Sequence, residues 1–381
     1  MSALSKPAST GPKLRDPRLD FFRGLGMFII LMAHIPGNSF ADWLPRRFGF
    51  SDAADMFVFC SGMASALAFA RIFDNFGWFI GTARIVYRIW QVYWAHIGSF
   101  MVVVAVVVMI DNALGTMDYE HQLGVDTIFA MSRTHIYGLM TLTYLPNYFD
   151  ILPMYLVMLA LIPVVLGLEK MHRAVILVVV CTFWLGANFF HLHFVADVAD
   201  GREWFFNPFG WQLVFLSGFS LVRGWLPIPK VRAGFIGLAV VIVLLAVPLS
   251  FPMDYSGLGP LERWHEALVF WTDKTNVGLA RYVHFMATVY LAYVAAGERG
   301  ANLRGPIVDV IRQVGQQTLA VFLTGLLAAQ VLGVGFRFVG TGFWATALIN
   351  VFGIVALIAT AKIVHWFKVP PWQKAVKFTP V

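Results

Sequence analysis

Arg23 and His34, in the first long apolar stretch of the chain, could do chemistry together. The stretch reads RLDFFRGLGMFIILMAHIP. The two are eleven positions apart, three turns of a helix. On a helix they lie on one face, about 16 Å from each other. A guanidinium can hold an anion, and an imidazole can take a proton near neutral pH. Ionisable groups in so apolar a setting are costly, so each is a functional candidate. The plainer alternative is a structural ion pair at Arg23 and a hydrogen-bonded packing histidine at His34.

Other polar residues stand in similar places. Arg84 and Arg88, in TARIVYRIWQVYW, are spaced i, i+4 with Gln91 continuing the face. Two guanidinium forks at one place suit a phosphate or carboxylate, and also suit a membrane-surface anchor. Asp55 opens SDAADMFVFCSGMASALAF ahead of a stripe of small residues, where it can pair with a cation or orient His34. Asp150 stands where a long loop enters the next apolar run, and is the second carboxylate that could orient His34. Arg281 and His284 sit at the mouth of a later run, with packing the plainer role for His284. No HExxH, cysteine ligand set, GxSxG, Walker or dinucleotide fingerprint is present, so neither a metal centre nor a permanently bound cofactor is expected.

The elements that must position these residues follow from composition. Of 381 residues, 59% are hydrophobic and only 13% are charged. A soluble domain carries about 25% charged residues. An ordinary soluble enzyme, a disordered chain and a nucleic-acid-binding domain are thereby excluded. The predicted fold is all-α, a polytopic bundle of about ten transmembrane spans. Its apolar runs lie near 19–37, 53–70, 78–110, 151–168, 174–190, 209–222, 234–250, 282–297, 311–332 and 343–364. With the amino end inside, nineteen Lys and Arg fall in cytoplasmic segments and eight on the far side, with Arg23 within the first span. This bias predicts that both termini are cytoplasmic. Residues 1–18 form a cytoplasmic segment that reads as part of a retained signal anchor, 19–365 the membrane domain and 366–381 a cytoplasmic tail. Cys60 and Cys181 both fall inside apolar runs and read as buried small hydrophobes.

Three long loops, near 111–150, 191–208 and 251–281, fall on the far side. They collect acidic residues and the aromatics Tyr144, Tyr148 and Trp204, with Trp211 just beyond. Such aromatics form either an interfacial belt or a platform for sugar rings. No internal repeat is visible, so a transporter built from inverted halves is not indicated.

The opening RDPRLDFFRGLGMFIILMAHIP followed by SDAADMFVFCSGMASALAF resembles the acyltransferase 3 superfamily of membrane acyltransferases. Arg23 and His34 match its Arg-x10-His pair; Asp55, Phe57, Ser61 and Gly62 match its second-helix motif. Arg84 and Arg88 match the arginines opening its third helix, although many relatives space them i, i+3. PNYFDILPMYLVMLALIP, FFNPFGWQLVFLSG and VGQQTLAVFLTG look like the OpgC family, which succinylates osmoregulated periplasmic glucans. Many relatives end the last of these motifs with a histidine where this chain has Thr324 and Gly325.

The resemblance implies an inner-membrane O-acyltransferase that moves an acyl group, succinyl by family, from cytoplasmic acyl-CoA to a hydroxyl of a periplasmic glucan. It implies His34 as base, with Asp55 or Asp150 orienting it. Arg84, Arg88 and Arg23 would serve the donor. Tyr144, Tyr148, Trp204, Trp211 and His284 would face the acceptor. The expected partners are acyl-CoA, the glucan, the bilayer and proteins of glucan synthesis, with no nucleic acid. The competing expectation is a secondary transporter or flippase for a lipid-linked or acyl-linked glycan precursor.

Overall fold

Asp16 begins the first helix by accepting the Arg18 amide at 3.0 Å, with Pro17 in the opening turn where its missing N–H costs nothing. This computed structural model describes residues 16–126, 128, 132–198, 200–250 and 259–369. Residues 1–15 of the expected amino-terminal segment and 370–381 of the expected tail lie outside them. Helix α1 runs Pro17–His34 and stops because Ile35 precedes Pro36 and takes extended dihedrals. After two 3₁₀ turns, α2 (Ala53–Ser65) opens with a capping box. Asp52 accepts the Ala54 amide at 2.8 Å, and Asp55 accepts the Asp52 amide at 2.8 Å.

A π-turn at 66–70 joins α2 to α3 (Arg71–Leu114). Gly77 breaks α3, with φ 82°, a left-handed conformation that costs glycine nothing. The arm beyond it is about 55 Å long at 1.5 Å per residue. It overshoots the roughly 30 Å apolar thickness of a bilayer.

Then come α4 (Asp118–Leu123), α5 (Ser132–Thr141), α6 (Ile151–Glu169), α7 (Arg173–Phe189) and α8 (Pro208–Arg223). They are followed by α9 (Ala233–Ser250), α10 (Pro260–Val269), α11 (Leu279–Ala296), α12 (Pro306–Gln316), α13 (Thr318–Val339) and α14 (Phe343–Lys368). The architecture is all-α, and two isolated bridges, Tyr144 to Asp197 and Val195 to Glu203, are the β pairing among the described residues.

Each expected apolar run coincides with helix. Among the described residues six stretches are long and apolar enough to cross a membrane: Ala53–Leu114, Ile151–Glu169, Ala233–Ser250, Leu279–Ala296, Thr318–Val339 and Phe343–Lys368. The first of these is divided by Gly77. Helix α1 carries Arg18, Asp20 and Arg23, α7 and α8 are short, and the run 311–332 is split at Gln317 between α12 and α13. Cys60 is buried as expected, whereas Cys181 is exposed on α7.

Two glycine pairs let backbones touch. A Cβ on Gly24 of α1 would overlap the Ile311 carbonyl of α12, and one on Gly315 would overlap the Asp20 carbonyl in return. Gly62 of α2 and Gly218 of α8 stand in the same relation to Phe215 and Phe59. Close approach of this kind is how helices associate where no water drives them together. It fixes α1 and α2, and with them the residues at their ends.

Candidate active site

The three long loops meet at the end of the bundle where α1 finishes. Together they line a cavity of about 700 Å³. Asn147, Tyr148 and Asp150 come from the first loop, Arg202 to Phe206 from the second, and Lys274 with Thr275 from the third. His34, Arg46, Asp52, Ile30 and Phe322 complete the functional part of the wall. The third loop is tied to the second: Asn207 donates to Asn276 Oδ1 at 2.7 Å and its amide to the Thr275 carbonyl at 3.1 Å.

His34 occupies the last turn of α1. Its Nδ1 lies 2.6 Å from the Ile30 carbonyl oxygen. A carbonyl can only accept, so Nδ1 carries the proton and a neutral ring presents the lone pair of Nε2. The orienting partner is thus a backbone carbonyl one turn back, in place of either carboxylate expected for it. Lys274, Asp52 and Arg46 are within electrostatic reach of the ring.

Asp55 does other work. It is fully buried, and Arg281 grips it through Nη2 at 2.5 Å and Nε at 3.1 Å. Arg281 also donates to the Phe50 carbonyl at 2.6 Å and reaches Asp52 at 3.3 Å. Asp52 is held again by Lys274 at 2.6 Å. Burial raises the Asp52 carboxyl, but Lys274 and Arg281 overcome this and hold it below its usual range. Asp150 lacks so close a cation. Burial pushes its carboxyl up to about 7, with Arg202 pulling weakly the other way.

Of the expected acceptor residues, Tyr148 and Trp204 line the cavity. Tyr144, Trp211 and His284 are absent from its wall and serve the scaffold. The Tyr144 hydroxyl donates to the Gly124 carbonyl at 2.9 Å, Trp211 Nε1 to the Lys274 carbonyl at 3.0 Å, and His284 Nδ1 bonds Ser51 Oγ at 2.8 Å. Tyr148 is strained. Its φ is 72°, a left-handed conformation that costs a side chain of this size about 1–2 kcal/mol. Its ring centroid lies 5.0 Å from that of His34.

The arginines expected to serve the donor lie elsewhere. Arg23 is half-buried three turns down α1, within electrostatic reach of Cys60. Arg84 lies over the Tyr87 ring at 5.4 Å, and Arg88 donates to Gln91 at 3.3 Å, as their shared face predicts. None of the three lines the cavity. A second void of about 10 Å³ continues from His34 down the same face of α1. Met27, Leu31, Val321, Phe322, Gly325 and Leu326 wall it. Gly325 and His34 thus face the same void.

Sequence reasoning passed over Arg46, Asp52, Arg202 and Lys274 as site residues. Three of them are among the eight basic residues that the charge count expects on the far side.

The profile of the OpgC protein family matches residues 15–369. The chain belongs to the OpgC family. No curated protein and no solved structure matches it. This is therefore a membrane protein of the OpgC family, with a cavity of about 700 Å³ that His34 helps to line.

Proposed function

We propose that this OpgC-family chain is an O-acyltransferase of the bacterial inner membrane. It would move an acyl group, succinyl in the family's usual chemistry, from cytoplasmic acyl-CoA to a hydroxyl of a periplasmic glucan. The observation that carries this reading is His34: Nδ1 is committed to the Ile30 carbonyl, and the ring faces a cavity of about 700 Å³ with aromatic and charged walls. A hydroxyl is a poor nucleophile at neutral pH, and a positioned base contributes about 10²–10⁴-fold. Nε2 would take the hydroxyl proton as oxygen attacks the thioester carbon. The imidazolium would return that proton to the departing CoA sulfur. A thioester is already activated, so the chemistry requires no covalent enzyme intermediate.

The donor would approach from the other end of α1. Arg84 and Arg88 would serve the CoA phosphates, and Arg23 an acyl carboxylate. The small void between α1 and α13 lies along the Met27–Leu31–His34 face, where such a path would run. Trp204 and the cavity carboxylates suit a sugar, which stacks its apolar face and hydrogen-bonds its hydroxyls.

The test is purified protein in detergent with labelled succinyl-CoA and extracted glucan. Labelled glucan should form, and His34→Gln should lower the initial rate by about 10²-fold or more, because an amide cannot accept the proton. A transporter would yield no labelled glucan in detergent, and a near-native rate in a folded His34→Gln protein would return His34 to packing.

A further inference from the structure

The loop that carries Tyr148 is pinned on both sides of it. The Leu145 amide donates to the Ala196 carbonyl at 2.8 Å, and the Asn147 amide to the Leu123 carbonyl at 3.1 Å. The Asn147 side chain donates to the Gln122 carbonyl at 3.1 Å. On the other side Phe149 is buried, its ring 5.2 Å from Phe100, and its amide closes on Pro146 at 3.1 Å. These contacts over-determine the backbone between them, and Tyr148 absorbs the difference as a left-handed φ of 72°. Strain held this way clusters at functional sites.

Its consequence is the placement of one hydroxyl. The Tyr148 ring stands at 57° to the His34 ring on the cavity wall, and its hydroxyl has no protein partner among the described residues. Four other phenols of the fold are committed. Tyr144 donates to Gly124, Tyr93 to the Met140 carbonyl, Tyr290 to the Lys230 carbonyl, and Tyr282 bonds Ser217. Several other donor side chains of the wall are already engaged. Lys274 is paired with Asp52, Arg202 donates to the Leu145 carbonyl at 3.0 Å, and Trp204 Nε1 to the Val195 carbonyl at 3.0 Å. Arg46 stands exposed.

Acyl transfer needs such a donor. As the acceptor oxygen bonds to the thioester carbon, its proton passes to His34 Nε2. The carbonyl π pair moves onto oxygen, making an oxyanion. That pair returns as the carbon–sulfur bond breaks, and the thiolate takes the proton back from His34, leaving ester and free CoA thiol. We propose that Tyr148 is the oxyanion donor, its O–H aimed at the thioester oxygen by the strained loop beside the base. This rests on the acyltransferase reading above, and it gives Tyr148 a role in the chemistry beyond stacking on a sugar.

Tyr148→Phe keeps the ring, the packing and the strain and removes only the hydroxyl. Loss of one oxyanion donor costs about 10²–10³-fold in kcat. The expected result is a fall in kcat of about that size, with KM for glucan changed by about twofold at most. Hydrolysis of the acyl-CoA by water should fall by the same factor, because the oxyanion develops whichever nucleophile attacks. A stacking platform predicts the opposite: Tyr148→Phe near wild type, and Tyr148→Ala raising KM for glucan while hydrolysis is unchanged. That pattern would overturn the proposal and leave the acyltransferase reading intact. Absence of both transfer and hydrolysis in the folded wild-type protein would overturn both. Tyr148→Gly, which relieves the strain, should melt at or above the wild-type temperature and lose as much activity as Tyr148→Phe.

Discussion

Asp150→Asn should stabilise the protein, and more so as pH rises. Asp150 is 7% exposed at the entrance to α6, and its carboxyl is pushed from the ordinary 3.8 up to about 7, chiefly by burial. The folded state thus holds a proton that the unfolded chain gives up. A pKa raised on folding contributes stability that is complete below about pH 4 and is lost as pH climbs to about 7. Three pH units at about 1.4 kcal/mol each make the full loss about 4 kcal/mol. Asparagine keeps the shape and is neutral throughout, so it has no such slope. Between pH 5 and pH 8 the variant should gain about 2–3 kcal/mol on the wild type. Thermal unfolding in detergent, followed by tryptophan fluorescence at several pH values, measures this. The two Tm curves should diverge through pH 5–7 and run parallel above it. Curves parallel over the whole range would refute the reasoning, since they would mean that Asp150 ionises as readily folded as unfolded.

Two further outcomes follow from the fold. Arg281→Gln should cost about 3–5 kcal/mol, because it strands the fully buried Asp55, and the double variant with Asp55→Asn should recover part of it; a Tm within a degree or two of wild type would mean that the pair is dispensable. Reporter fusions at Gly115 and Gly201 should lie on the opposite side of the membrane from one after Lys368, as the charge bias predicts; a common side for all three would break the ten-span scheme.

What the sequence made legible was periodic or compositional. Helical spacing put Arg23 and His34 on one face, and the void below His34 runs along that face. The three long loops announced themselves by length and acidity, and they do converge on one cavity. The illegible part was of other kinds. The partner of His34 Nδ1 is a backbone carbonyl, and every residue has one, so no pattern marks Ile30. Tyr144, Trp211 and His284 were chosen by residue type, and type does not tell a cavity wall from a scaffold contact a few ångströms behind it. Lys274 and Arg202 lie in irregular loops without periodicity, and only the pairing of those loops brings them to His34. The break at Gln317 is tertiary as well: Lys368 reaches its side chain at 2.6 Å, and Gln316 reaches Asp20 of α1 at 3.3 Å. A run that reads as one helix is thus shared between two.

The end of α1 explains why the base stands where it does. A helix leaves its last carbonyls without amide donors. Here the Ile35 amide closes on the Leu31 carbonyl at 3.2 Å, and Asn38 turns back to the Met32 carbonyl at 2.8 Å. Pro36 prevents another helical turn, and Gly37, with φ 78°, bends the chain away beside Phe336. The chain therefore leaves the axis just after His34, and the ring is uncovered on the side where α2 and the loops open the cavity. The same end carries the negative pole of the helix dipole, worth about 0.3–1 kcal/mol to a nearby cation and more where partly buried. A group that becomes positive only when it takes a proton gains from that pole at the moment of transfer. Lys274 and Arg46 act against it, and Asp52, held ionised by its two cations, offsets them. The capping box that starts α2 and the proline that stops α1 thus supply, from opposite helix ends, the field in which His34 would work.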